Sequence, residues 1–139
     1  MKFYKVVAVE NKKILKSAVV DDQEDIIIYK PKKWVTPKKG NGPLCCFISL
    51  DHAEWFVYLF EQPSAKKFEV WECEIVESKE RKIWVKDGIE RGIKDLLDGT
   101  VLADKVKLLR KVEVSKKSGG VICRLKKLIK QVITIFVAT

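Results

Sequence analysis

Apolar and polar positions alternate with a period of two along much of this chain, the spacing of strands that bury one face. Phe3, Lys5, Val7 and Val9 alternate with Tyr4, Val6 and Ala8, and after the polar turn at 10–13 a second run, 14–20, offers a hairpin partner. The β-branched run 26–29 is too short for a helix and predicts a further strand. Pro31 and Pro37 bracket Lys32-Lys33-Trp34-Val35-Thr36, and the turn cluster 38–43 closes what reads as an exposed basic loop. Residues 44–48 are apolar throughout and predict a central strand covered on both faces, in which the neighbours Cys45 and Cys46 point to opposite sides. Alternation resumes over 68–78, with Trp71, Cys73 and Ile75 on one face and Glu72 and Glu74 on the other. A short strand follows at 83–85, and 101–114 fits a strand with a slip near Leu109.

Three segments carry helical spacing instead. Ala53, Phe56, Val57 and Phe60 fall at i, i+3, i+4 and i+7, with Ser49 as N-cap and Asp51 in the first turn, so 50–61 predicts an amphipathic helix stopped by Pro63. Asp87 and Glu90, three apart ahead of Ile93, Leu96 and Leu97, match a capping box and predict a helix over about 88–98, weakened by Gly92 and ended at Gly99. Val121, Leu125, Leu128, Val132 and Ile135/Phe136 favour a C-terminal helix from about 121, against which a final strand over 131–137 competes. Strands in runs with helices inserted predict an α+β fold, a single domain over 1–139 with a largely antiparallel sheet and two or three helices. Its length and 47% hydrophobic content suffice for one core.

Charge changes the picture. Residues 1–40 hold ten lysines against five acids, 41–80 three against eight, and 81–139 fifteen lysines and arginines against six, within a net charge of +9. An acidic, aromatic-rich centre thus lies between two basic arms, which bears on partners and not on a reaction. No span of about 20 apolar residues is present, and the N-terminal apolar stretch is too brief for a signal peptide, so a cytoplasmic protein without a membrane span is expected. The four cysteines match no zinc spacing and read as reduced and buried; a disulfide from Cys73 or Cys123 to Cys45 or Cys46 stays open. A lysine-rich chain with one Met, one His and five Asn/Gln leans toward a thermophile.

Among candidate sites, the segment from Lys30 to Lys39 ranks first. Lys30, Lys32, Lys33, Lys38 and Lys39 around Trp34 supply cations for phosphates and a ring for base stacking, set against the plainer reading of a solvated loop with Trp34 turned inward. Lys126 and Lys127, with Arg124 and Lys130, would add a second basic surface if the C-terminal helix exposes them, although its apolar stripe already suits a core. His52 is the sole histidine, which removes His-pair metal sites, and no metal or cofactor is expected. Glu72 and Glu74 share a strand face and suit acid/base chemistry, with cross-strand pairing to Lys82 or the 105–111 lysines as the structural alternative.

Tyr4-Lys5-Val6, Trp34-Val35-Thr36-Pro37, 44–47, 53–56, 71–75 and Gly99-Thr100-Val101-Leu102-Ala103-Asp104 together resemble small archaeal and viral proteins of unknown function, over most of residues 1–112. That resemblance implies no activity. In element order the chain is also similar to minimal ADP-ribosyltransferase-type domains, which bind NAD, but those use a His or Arg on an early strand where this chain has Phe3-Tyr4-Lys5. The leading expectation is a non-enzymatic basic module for nucleic acid or an acidic protein. A small enzyme on a nucleotide-like substrate and a subunit of an assembly, including a homo-oligomer, are the alternatives, and no catalytic residue is assigned.

Overall fold

The computed structural model describes residues 1–18, 25–64, 66–86, 88 and 90–115. In chain order these form β1 (Phe3–Glu10), β2 (Ile14–Ser17), β3 (Ile28–Tyr29), β4 (Trp34–Val35), β5 (Leu44–Phe47), α1 (Leu50–Ser64), β6 (Lys67–Glu77), β7 (Lys82–Trp84), β8 (Glu90–Gly92), a 3-10 turn (Ile93–Asp95) and β9 (Thr100–Val112). The sheet is antiparallel at every pairing, and the described residues contain one α-helix. No helix among them is long and apolar enough to cross a membrane.

Four strands close on themselves. β1 pairs with β6 from Phe3↔Cys73 to Val9↔Lys67, β6 with β9 from Val70↔Val112 to Glu77↔Ala103, β9 with β5 from Thr100↔Phe47 to Ala103↔Leu44, and β5 returns to β1 at Tyr4↔Phe47. β5 and β6 stand opposite each other across this ring and share no ladder, yet the Cys46 and Cys73 side chains are hydrogen-bond partners across it. The ring is therefore narrow, and Val7, Cys46, Cys73, Ala103, Val106 and Leu108 fill it at 2% exposure or less. Small residues are what such a confined interior admits. β2 and β3 extend the sheet beyond β1, and β4 extends it beyond β9.

The long β6–β9 ladder must bend to join both sides of the ring. It does so through two irregularities: Glu72 faces Arg110 while Cys73 faces Leu108, skipping Leu109, and Val76 faces Lys105 while Glu77 faces Ala103, skipping Asp104. The slip expected near Leu109 is the first of these bulges, which sharpen strand twist.

The opposite face of the sheet is covered by α1. Its predicted stripe, Ala53, Phe56, Val57 and Phe60, is buried, together with Leu59. Phe56 lies at the centre, its ring centroid 5.4 Å from Phe47, 4.6 Å from Phe60 and 5.9 Å from Phe68. Ser49 caps the helix as expected, its Oγ accepting the His52 N–H at 3.2 Å. On the same helix the buried Glu54 carboxylate accepts the Ser115 N–H at 2.5 Å and the Ser115 hydroxyl, which ties the end of the described chain to α1.

Two expectations are corrected. The described residues of 88–98 form no α-helix: β8 turns back on β7 with Lys82↔Gly92, Ile83↔Arg91 and Trp84↔Glu90, and one 3-10 turn follows. Gly88 and Gly92 weaken a helix here, Glu90 bonds Lys82 across the hairpin at 3.0 Å, and burial of Ile83 and Leu96 is achieved without a helix. The basic segment 30–39 is also more than a loop, since Trp34 and Val35 pair with Lys107 and Val106. The helix expected from about 121, the competing strand over 131–137 and Lys126 and Lys127 lie outside the described residues.

Gly99 turns the chain into β9 at φ +82°, and a Cβ there would stand 2.3 Å from the His52 ring. Gly99→Ala is expected to cost about 1–3 kcal/mol. Phe56→Ala is expected to cost about 3–5 kcal/mol. Urea unfolding measures both, and a Phe56→Ala loss below about 1 kcal/mol would place Phe56 outside the core.

Candidate functional site

The two ends of the sheet approach each other at β3 and β4. A tight turn over 30–33 joins them, with the Lys33 N–H donating to the Lys30 carbonyl at 3.2 Å. Lys32 takes φ +66° and donates its N–H to the Leu108 carbonyl at 2.9 Å, which pins the turn to β9. β3 and β4 do not pair with each other. Between them lies an open groove of about 520 Å³ lined by residues 26–28, Lys30, 33–36 and Lys38. Its apolar floor is exposed: Ile28 at 49% and Trp34 at 46%. Trp34 does not turn inward as a core anchor. Lys107 Nζ stands 4.9 Å from its ring centroid, a cation–π contact that holds the indole against β9.

The ion pairs divide the charged side chains into two groups. Glu74 binds Lys107 at 3.3 Å, Glu72 binds Arg110 at 2.7 Å and Lys2 at 3.9 Å, and Glu69 binds Lys111 at 3.2 Å. The cross-strand reading of the acidic strand thus holds, with β9 as the partner, while Lys82 bonds Glu90 instead. Glu72 and Glu74 sit in this lattice and line neither the groove nor the cavity described below. By contrast, no carboxylate among the described residues pairs with Lys30, Lys32, Lys33, Lys38 or Lys39. Of these, Lys30, Lys33 and Lys38 line the groove with Trp34; Lys32 lies between two of them in sequence and Lys39 follows Lys38.

His52 has a structural setting. Its Nδ1 lies 2.6 Å from Ser49 Oγ at the helix cap, and the Gly99 backbone packs against its ring. The Cys46 thiol is held by Cys73 inside the ring and is not offered to a base. No group of three or more His, Cys, Asp or Glu suited to a metal ion occurs among the described residues.

A second concavity was missed in the sequence. Along one edge, β1 pairs with β5 at Tyr4 and with β2 from Val7 onward, so the two partners diverge at Lys5 and Val6. A cavity of about 80 Å³ opens in this fork, lined by Lys5, Ser17, Tyr29 and Cys45 together with Phe56, Ile83 and Trp84. Lys5 is only 8% exposed. Its Nζ donates to the Cys45 carbonyl at 2.6 Å and stands 5.5 Å from the Tyr29 ring centroid. Burial pulls the Lys5 ammonium down, but Tyr29, Cys46 and Cys45 outweigh it, and Lys5 titrates above the ordinary lysine range. Burial raises Tyr29 against the opposing pull of Lys5, and burial pushes the Cys45 thiol up to about 11. The signal for this site was the alternation itself, because Lys5 falls on the same face as Val7.

The walls of the fork are fastened by Asn41. Its Nδ2 donates to Asp25 Oδ1 at 2.9 Å, its Oδ1 accepts the Lys86 N–H at 2.6 Å, and its own N–H reaches the Lys38 carbonyl at 2.8 Å. Gly42 and Trp84 exchange both backbone hydrogen bonds, joining the β7–β8 hairpin to the main sheet. Gly42 permits this approach, since a Cβ there would come within 3.0 Å of the Trp84 ring.

Comparison with family models, with curated proteins and with solved structures returns no match to this chain.

Because the folded Cys45 thiol titrates near 11 against 9.0 when unperturbed, the folded state holds more protons than the unfolded chain in that window. Its contribution is complete below about pH 9 and is lost as pH rises toward 11. Urea unfolding at pH 7.5 and pH 10.5 is expected to show a fall in stability that Cys45→Ala reduces; an equal fall in the variant would contradict this assignment.

Proposed function

We propose that the protein binds single-stranded nucleic acid in the groove between β3 and β4, without catalysing a reaction on it. The carrying observation is the coincidence of unpaired lysines with exposed apolar surface. Five lysines in ten residues keep no carboxylate partner among the described residues, while the neighbouring β6 acids are neutralised by β9. At the centre of those lysines stands a half-exposed indole.

Each part has a task in such a complex. Lys30, Lys33 and Lys38 contact phosphates and release counterions, while Lys32 and Lys39 extend the positive field. Trp34, backed by Lys107 and by its pairing to β9, presents a ring already fixed in place, so little side-chain freedom is lost on stacking. Ile28 supplies an apolar contact beside it. A single strand suits this surface better than a duplex, because the bases must be unstacked to meet the ring and no described helix projects from the groove to enter a major groove.

Fluorescence anisotropy with labelled oligothymidylate and a duplex of equal length tests the reading. Single-strand binding is expected to weaken with rising salt, with a log–log slope of about −0.7 for each phosphate neutralised. Trp34→Ala is expected to lose about 1–3 kcal/mol, and Lys32→Glu with Lys33→Glu is expected to flatten the salt dependence. No binding at low salt, or binding unaffected by Trp34→Ala, would overturn it.

A further inference from the structure

We propose that the fork between β2 and β5 is a second binding site, which takes one small oxyanionic group, a phosphate or a carboxylate, against Lys5. A buried ammonium has three N–H donors and requires either a counter-ion or full hydrogen bonding. The Cys45 carbonyl takes one donor at 2.6 Å, Tyr29 supplies a second partner, and no carboxylate among the described residues pairs with Lys5. Among the described residues lining the cavity the one acid, Asp25, accepts the Asn41 amide at 2.9 Å.

Other groups on the cavity wall favour the same ligand. Ser17 Oγ accepts the Ile27 N–H at 2.9 Å, which leaves its hydroxyl hydrogen to donate. Tyr29 keeps its phenolic proton at neutral pH, because burial raises it, and can donate when its oxygen accepts from Lys5. Lys5, Ser17 and Tyr29 thus offer donors to one space that Phe47, Phe56 and Trp84 also line. A volume of about 80 Å³ holds roughly five to eight waters at 10–15 Å³ each, room for one tetrahedral or planar oxyanion and too small for a nucleoside. The site is separate from the lysine-lined groove: the two lining sets share Ile27 and no charged residue.

Equilibrium dialysis with radiolabelled inorganic phosphate, and separately acetate, at ionic strength fixed by chloride tests the proposal on the full chain. Saturable binding of at least one anion with a stoichiometry of one is expected; which anion binds distinguishes the two sources. Lys5→Met, checked for folding by circular dichroism, is expected to weaken it at least tenfold, whereas Lys32→Glu with Lys33→Glu leaves it within twofold. Should Lys5→Met fail to fold, Ser17→Ala and Tyr29→Phe provide the readout, each expected to weaken binding severalfold. Absence of saturable binding of both anions, or affinity unchanged in the folded variants at the fork, would overturn the proposal. Loss of binding in the groove variant alone would place the anion on the surface lysines and overturn it equally.

Discussion

A strand has two edges, and each stretch of an edge can pair only once. β1 gives one edge wholly to β6 and divides the other between β5 and β2, and much of this structure follows from that division. Closure of the β1–β5–β9–β6 ring needs β5 at Tyr4, while the β1–β2 hairpin needs the same edge from Val7 onward. Neither partner reaches Lys5 and Val6, so the sheet splits there. The alternation that puts Val7 into the ring also draws Lys5 inward, and the result is a cation whose hydrogen-bond partners among the described residues are a carbonyl and a phenol.

The same closure sorts the charges. Bending β6 and β9 around the ring aligns Glu69, Glu72 and Glu74 with Lys111, Arg110 and Lys107, so acids concentrated in the middle of the sequence meet bases from its second half. As partly exposed pairs they contribute little stability singly, but they consume the negative charge of the centre. The lysines of 30–39 are attached to the sheet through β4 and the Lys32 N–H, beside the Lys107 end of that lattice, and pair with no carboxylate among the described residues. Lys107 belongs to both systems, since it pairs with Glu74 and lies over Trp34.

Much of this architecture was legible in the sequence. Period-two alternation identified β1, β6 and β9, the i, i+3, i+4, i+7 stripe identified α1 with its Ser49 cap, and the phase change at Leu109 marked a bulge. Local pattern failed where tertiary pairing decided. Ile93, Leu96 and Leu97 carry helical spacing, but two glycines and the pairing of Glu90 with Lys82 make the preceding residues a hairpin. Trp34 and Val35 looked like loop residues because a two-residue strand has no period to detect; their partner lies more than seventy positions away in β9. The lysines around Trp34 stood out in the sequence as a basic segment, whereas the fork did not: alternation places Lys5 on the Val7 face, but no local pattern reveals where two partners of one strand part company. The Asn41 clamp was equally invisible, because its partners at Asp25 and Lys86 are distant in sequence.

The central claim is that charge left over from sheet closure makes the β3–β4 groove the surface that meets nucleic acid. It is tested most directly by ¹⁵N–¹H correlation spectra of the labelled protein during titration with unlabelled oligothymidylate. The account predicts shifts concentrated in residues 26–38, in the Trp34 indole N–H and in the 106–108 stretch of β9 that contacts them, with the rest of the β6–β9 ladder unmoved. Shifts centred on β6 and β9, or spread evenly over all exposed lysines, would contradict it.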